Sequence, residues 1–271
     1  MLFSAIEMAD RVDIVEFIDS LQATGRYSFT DAEAEAAVAG SHTAVAAALR
    51  RQRARGRIVT PRRGFDVIVP TEYREAGSPP AAWFIDDLMR FVRRPYYVAL
   101  LSAAAVHGAA HQQPMRFQVI TDAPLRSAVS GRARLDFHVS STVDSTPVLQ
   151  VQTDTGYMRV STPEATAFDL VRFIEATGGL GNVATVLAEL AESLRTEELR
   201  AVAMDRPSPE VQRLGYLLDS VGRQDLADPL ARALSGRRVR PVVLASGSPR
   251  GASAPQPPWR VIVNESVELD L

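Results

Sequence analysis

The sequence predicts an α+β (mixed α/β) protein of two domains, and three observations lead there. The first 70 residues hold three short helical patterns followed by two β-rich runs around a Pro/Gly turn. A Gly77-Ser-Pro-Pro80 segment then marks a change of composition. Beyond it, strand-like runs give way to a closing series of helices. At 271 residues the chain exceeds the usual single domain of ~100–150 residues, so each part can bury its own core.

Val12, Val15, Phe17, Ile18 and Leu21 recur near helical spacing, which predicts a first amphipathic helix over 10–23, ended by Gly25. Thr30 followed three residues later by Glu33 has the pattern of a capping box and opens a second helix. A third helix runs from about Ser41 to Arg55 and stops at Gly56, where glycine tolerates the left-handed conformation. Arg57-Ile-Val-Thr60 and Phe65-Asp-Val-Ile-Val69, around Pro61-Arg-Arg-Gly64, read as a β-hairpin. This order defines a winged helix-turn-helix over 1–70, with a linker over 71–80 and a larger C-terminal α/β domain over 81–271.

In the larger part, Trp83–Val92 and Tyr96–Val106 read as helices, and strands are expected near 115–121, 134–140, 148–153 and 157–161. Thr162-Pro-Glu164 opens a helix with a cap residue and an N1 proline. Helices near 181–194, 196–203, 208–221 and 223–234 follow, then strands near 239–244 and 259–263. No internal repeat is visible.

Composition excludes several chemistries. With no cysteine there is no disulfide framework, thiolate zinc site or cysteine nucleophile. The 30 basic residues are all arginine, so lysine Schiff bases and a phosphate-loop lysine are excluded as well. Glu7, Asp10 and Asp13 interrupt what a signal peptide would need to keep apolar, and the longest apolar stretch, Val98–Val106, is far short of the ~20 residues of a membrane span. A cytoplasmic protein without membrane contact is expected.

The net charge of −2 conceals a local concentration: Arg50, Arg51, Arg53, Arg55, Arg57, Arg62 and Arg63 fall between Ser41 and Phe65 with no acidic residue among them before Phe65. Such a patch in a mildly acidic chain points to a polyanion. If Val45, Ala48, Leu49 and Gln52 face inward on the third helix, Thr43, Ala47, Arg50 and Ala54 lie opposite, beside Ala46 and Arg51. Small side chains near the helix start would let it enter a major groove, where His42 and Thr43 meet base edges and Ala46 or Ala47 a thymine methyl. The expected double-stranded DNA interface is Ser41, His42, Thr43, Ala47, Arg50, Arg51, Arg53, Arg55 and, at the wing tip, Arg62 and Arg63. The competing readings are a basic helix that merely faces solvent and a winged helix that mediates protein contacts.

Sites that resemble catalytic ones are weak. His107 and His111 have i, i+4 spacing, but Gly108 stands where the zinc-protease glutamate would be, so a helix end is the favoured reading and no metal is expected. Glu164 and Asp169 are two carboxylates on one helix; the dipole at its N-terminus explains Glu164 more simply than acid–base chemistry does. No phosphate-loop, GxSxG or dinucleotide motif occurs, and neither catalysis nor a cofactor is expected.

Tyr96-Tyr-Val-Ala-Leu-Leu-Ser-Ala-Ala-Ala-Val-His-Gly-Ala-Ala-His-Gln-Gln-Pro114, followed by Phe117-Gln-Val-Ile-Thr121, resembles the signature of AbiEi-type antitoxins. The resemblance continues in order through Thr162-Pro-Glu-Ala-Thr-Ala-Phe-Asp-Leu-Val171, Gly178-Gly-Leu180, Arg213-Leu-Gly-Tyr-Leu-Leu218 and Trp259-Arg-Val-Ile-Val-Asn264. It implies the regulator half of a bacterial abortive-infection toxin–antitoxin pair. The N-terminal domain would repress its own promoter by binding inverted repeats, and the C-terminal domain would oppose a nucleotidyltransferase-fold toxin. In that family a type IV arrangement is usual, without a stable antitoxin–toxin complex; the residues leave direct contact open. Tyr96, Tyr97, Ser102, His107, His111 and Gln113 match the signature as interaction residues or as core. The alternative from another class is a ligand-responsive winged-helix transcription factor, which requires a small-molecule pocket in the C-terminal domain. A winged helix attached to a nuclease or transferase would need an acidic metal cluster, which the sequence lacks.

Overall fold

The computed structural model describes residues 12–109, 114–251 and 253–267. In the N-terminal part, α1 (Ile14–Ala23), β1 (Ser28–Thr30), α2 (Asp31–Ala37), α3 (His42–Ala54), β2 (Ile58–Arg62) and β3 (Phe65–Ile68) follow one another. Local chemistry sets the helix starts. The Asp13 carboxylate accepts from the backbone N–H of Val15 at 2.6 Å and of Glu16 at 3.0 Å. Thr30 and Glu33 form the reciprocal capping box that the sequence predicts. Ser41 caps α3 by accepting from Ala44 N–H.

The buried stripe of α3 is Val45, Ala48, Leu49 and Gln52, as the periodicity requires. It packs with Ile18, Phe29, Val38, Ile58 and Ile68 into a separate small core. The three strands form an antiparallel sheet in the order β1-β3-β2. β1 was not expected, because three residues are too few to display alternation; Phe29 buries its whole ring there, 5.3 Å from that of Phe17.

Residues 71–80, expected as a linker, form a packed strap. Thr71–Tyr73 is a 3-10 turn, and Ser78 is buried with its hydroxyl 2.8 Å from that of Ser130. A Cβ on Gly131 would lie 2.3 Å from the Ala76 carbonyl oxygen, so the strap rests directly on a backbone turn that only glycine permits. Pro and Gly correctly signal a bend here. They carry no information about whether the bend is covered.

The C-terminal part opens with α4 (Ile85–Phe91), followed by β4 (Tyr96–Val98), α5 (Leu100–Val106), β5 (Phe117–Thr121), β6 (Ala128–Ser130), β7 (Ala133–Val139), β8 (Val148–Thr153) and β9 (Gly156–Ser161). Their six strands make one mixed sheet, β6-β7-β5-β4-β9-β8. The expected helix over Tyr96–Val106 is therefore corrected: its first three residues are an inner strand, antiparallel to β5 and parallel to β9. The chain turns sharply into α5 at Leu100, whose φ is 54°. A strand buried on both faces lacks polar alternation, so it merges with the apolar helix that follows.

A helical layer completes the fold: α6 (Pro163–Arg172), α7 (Leu180–Leu190), α8 (Thr196–Met204), α9 (Ser208–Ser220) and α10 (Gln224–Leu234). Strands β10 (Val242–Val243) and β11 (Val261–Ile262) pair in parallel, each shorter than expected. Trp259 seals this end. It donates from Nε1 to Asp219 at 2.8 Å, and its carbonyl accepts from the Gln212 side chain at 2.7 Å.

Gly215 lies under the Trp259 ring, and a Cβ there would come within 2.1 Å of it. Two of the family-like motifs thus meet in a single contact. Gly215→Ala should destabilise the protein by about 1–3 kcal/mol through overpacking, with a lowered melting temperature by calorimetry; unchanged stability would show that the Trp259 ring moves aside freely.

Candidate functional site

The basic region separates into two groups once its partners are known. Arg53 holds the fully buried Asp66 from two nitrogens, at 3.1 and 2.6 Å, and reaches Asp31 at 3.3 Å. Thr60 also donates to Asp66. These hydrogen bonds and charges raise the Arg53 guanidinium further above its ordinary value, and leave it as the tie between α3 and the sheet. Arg57 pairs with Asp19. Arg50, Arg51, Arg55 and Arg63, by contrast, are exposed and make no ion pair among the described residues.

Arg62 departs from its expected place on the tip of the wing. Its Nη2 donates to the Arg126 carbonyl at 2.9 Å, and its guanidinium lies 5.9 Å from the centre of the Phe137 ring. The end of β2 is docked on the larger sheet. Sequence assigns Arg62 and Arg63 the same role, yet Arg62 ends β2 and is half-buried against the larger sheet, whereas Arg63 lies in the hairpin turn and is exposed. Near the start of α3, Thr43 and Ala46 are exposed and Ala47 half-buried. Ser41 is occupied as a cap, and His42 lies 2.7 Å from Glu35 of α2.

The docked hairpin is part of a wider contact. Phe65 and Val67 of β3 share a buried cluster with Phe84, Leu88, Val98, Val119 and Leu135. Ser28 donates to Asp87 at 2.6 Å, and the Trp83 ring stacks near both Tyr27 and Tyr73. Helix α3 packs into the separate small core through Val45, Ala48 and Leu49, and Arg50, Arg51 and Arg55 are left exposed.

The described signature residues of the C-terminal part point inward. Tyr96 donates to Asp86 at 2.9 Å, tying β4 to α4. Ser102 accepts from Gln118 N–H at 2.9 Å, tying α5 to β5. His107 caps α5 and contacts the Ser161 carbonyl at 2.7 Å, which can only accept, so Nε2 donates; burial lowers the pKa of the ring. His111 and Gln113 lie outside the described residues. Among the described residues no acidic or histidine cluster suits a metal ion.

Tyr97 leads to the most charged part of the interior. Its hydroxyl donates to Asp169 at 3.0 Å, and Arg206 donates to the other oxygen of Asp169 at 3.2 Å. Glu210 stands 3.7 Å from Arg206 and 3.8 Å from Arg172. Burial pushes the Asp169 carboxyl up to about 6 in spite of the Arg206 charge, and pushes Glu210 up as well. The same burial raises the Tyr97 phenol far above its ordinary range, which keeps it a donor. Sequence pairs Asp169 with Glu164, but Glu164 turns away to accept from Arg195 N–H at 3.1 Å. Arg206 and Glu210 carried no sequence signal, lying 37 and more residues away.

The molecule is thus a mixed α/β protein in which a small helix-and-hairpin unit with an uncovered basic helix is docked on a six-stranded sheet. Residues 97–220 match the family model described as the AbiEi antitoxin C-terminal domain. That span, a little under half of the chain, thus carries an AbiEi-type antitoxin C-terminal domain, the antitoxin side of a toxin–antitoxin system. Its fold is similar to that of the RV2827C protein from Mycobacterium tuberculosis, at 19% identity, a TM-score of 0.65, and coverage of 93% of this chain and 92% of that one. An antigenic nucleotidyltransferase-like protein from Paracoccidioides brasiliensis aligns at 9% identity over 55% of this chain and 90% of that one; its TM-score of 0.36 supports no argument. No curated protein matches the chain. No helix among the described residues is long and apolar enough to cross a membrane.

The raised Asp169 pKa has a definite consequence for stability. The folded protein holds a proton on Asp169 up to about pH 6, whereas an unfolded aspartate releases it near 4. Its contribution is therefore fully present below pH 4 and lost as the pH rises through 6. The stability of the wild type relative to Asp169→Asn should fall between pH 4 and 6 and then level off, as measured by denaturant unfolding. A difference independent of pH over that window would contradict the shift.

Proposed function

We propose that the protein is an antitoxin and transcriptional autorepressor: the N-terminal unit is a winged helix that binds inverted repeats in duplex DNA, and the AbiEi domain opposes a nucleotidyltransferase-fold toxin in the cytoplasm. The observation that carries the DNA reading is the set of four exposed arginines with no ion-pair partner among the described residues, Arg50, Arg51 and Arg55 on and after α3 and Arg63 at the hairpin turn. Structural arginines in this unit are paired, as Arg53 and Arg57 are. Arginines left unpaired beside a helix with exposed Thr43 and Ala46 suit phosphates flanking a major groove. Ser41 and His42 support this arrangement by setting the start of α3. Arg53 and Arg62 are assigned to holding the unit together.

Four phosphate contacts release about four counterions, so log K should fall against log salt concentration with a slope of about −3.6. Replacing Arg50, Arg51, Arg55 and Arg63 with alanine should remove most of that slope and the binding with it, measured by fluorescence anisotropy on the promoter. Arg62→Ala should lower stability and leave the slope in place. If the quadruple variant keeps the wild-type slope, the face of α3 is not the interface.

The two activities should also separate. Phe65 and Val67 belong to the larger core, so deleting the N-terminal unit would uncover that core and confuse the result. The quadruple arginine variant avoids this. Co-expressed with its toxin, it should restore growth as the wild type does while failing to repress the promoter. Loss of rescue in soluble, folded variant protein would tie antitoxin action to DNA binding.

A further inference from the structure

The two edges of the six-stranded sheet differ. Strand β6 is covered: β2 of the hairpin packs beside it, and Arg62 holds the Arg126 carbonyl. Strand β8 (Val148–Thr153) is the other edge. Its sequence, Val-Leu-Gln-Val-Gln-Thr, carries no charge and no proline, and it pairs with β9 residue for residue without a bulge. Charges, prolines and bulges are the usual devices that keep an open edge from pairing with another chain. Leu149, Gln150 and Gln152 are exposed along it.

The ladder fixes which backbone groups face outward. Thr162 N–H donates to the Pro147 carbonyl at 3.1 Å at one end, and Thr153 faces Gly156 across a two-residue turn at the other. The hydrogen-bonded partners of β9 are therefore 147, 149, 151 and 153, because such pairs alternate in an antiparallel ladder. The N–H and C=O groups of Val148, Gln150 and Gln152 point away from β9, and no hydrogen bond reaches them among the described residues.

We propose that β8 pairs antiparallel with β8 of a second copy of this chain, about a twofold axis at Gln150. This is the register in which all the outward residues find partners: Gln150 meets Gln150 of the second copy, and Val148 meets Gln152, each pair exchanging both N–H···O bonds. The side chains agree with it. Leu149 falls opposite Val151, apolar against apolar, and the two Gln150 amides can each donate and accept. Pro147 falls opposite Thr153, where the pairing asks for no N–H, and Asp154 falls opposite Thr146, so no like charges meet. Such self-complementarity specifies a second copy over an unrelated strand. The contact uses no residue of the N-terminal unit, so the inference stands apart from the DNA reading.

Sedimentation equilibrium of the full-length chain should give a mass that rises with concentration toward twice 29.5 kDa. Gln150→Glu sets two carboxylates face to face at an exposed position and should weaken association at least tenfold, as should Gln150→Arg. An equimolar mixture of the two should restore association, which damage to the fold would not allow. Because the chain has no cysteine, Gln150→Cys adds a single thiol per copy. Hydrogen-bonded antiparallel partners lie about 5.5 Å apart, within disulfide reach, so oxidation should yield a covalent dimer. Gln152→Cys, opposite Val148, should yield none. A wild type that stays monomeric at every concentration would overturn the proposal. So would undiminished association in Gln150→Glu, or cross-linking of Gln152→Cys as ready as that of Gln150→Cys.

Discussion

A buried carboxylate that must be satisfied from several directions organises the larger domain. Asp169 sits on α6 with no solvent contact, and its two oxygens are answered by Tyr97 from an inner strand and Arg206 from the corner between α8 and α9. Removing either partner would leave a charge or a donor stranded in the interior, a loss of several kcal/mol. This requirement locks sheet and helical layer in one relation. It also accounts for the Tyr97 hydroxyl on a strand that otherwise asks only for apolar side chains. Arg206 in turn lies 5.6 Å from the Phe168 ring centre, so the cation is covered as well as paired.

The relation between the N-terminal unit and this frame has a different origin. It rests on apolar burial by Phe65 and Val67, with the Arg62 side chain held by the Arg126 carbonyl and Ser78 of the 71–80 strap against Ser130. A hairpin docked in this way cannot swing freely to follow a DNA backbone. What it can do is hold α3 at a fixed attitude, with the basic face outward. Pre-set geometry lowers the ordering cost of any complex that α3 enters. The basic patch is correspondingly smaller than the arginine count suggests, because three of the seven are spent on internal contacts.

Much of the fold is legible in the chain where the controlling interactions are local. The capping box at Thr30 and Glu33 and the inward stripe of α3 are stated by spacing alone, because both depend on neighbours within a turn or two. The helices after Thr162 are legible for the same reason. The Tyr96–Val98 strand is not: its identity comes from hydrogen bonds to β5 and β9, more than 20 and 60 residues away. Its residues suit a helix equally well. The strap escaped for a related reason, since Gly77 and Pro79–Pro80 announce a turn whether or not Gly131 lies against it.

By itself, then, the sequence determined the class of fold, the helix starts at Thr30, Ser41 and Thr162, the presence of a basic helix and the family that the larger domain resembles. Each of these depends on residue type and near-neighbour spacing. Tertiary structure alone decided which arginines are held by internal partners, since Arg53 and Arg62 differ from Arg50 and Arg63 in what the folded chain brings beside them among the described residues. It alone assembled the Asp169, Arg206 and Glu210 cluster. Charge pairing and burial are properties of positions in space, and residues far apart in the chain acquire them only when the fold closes.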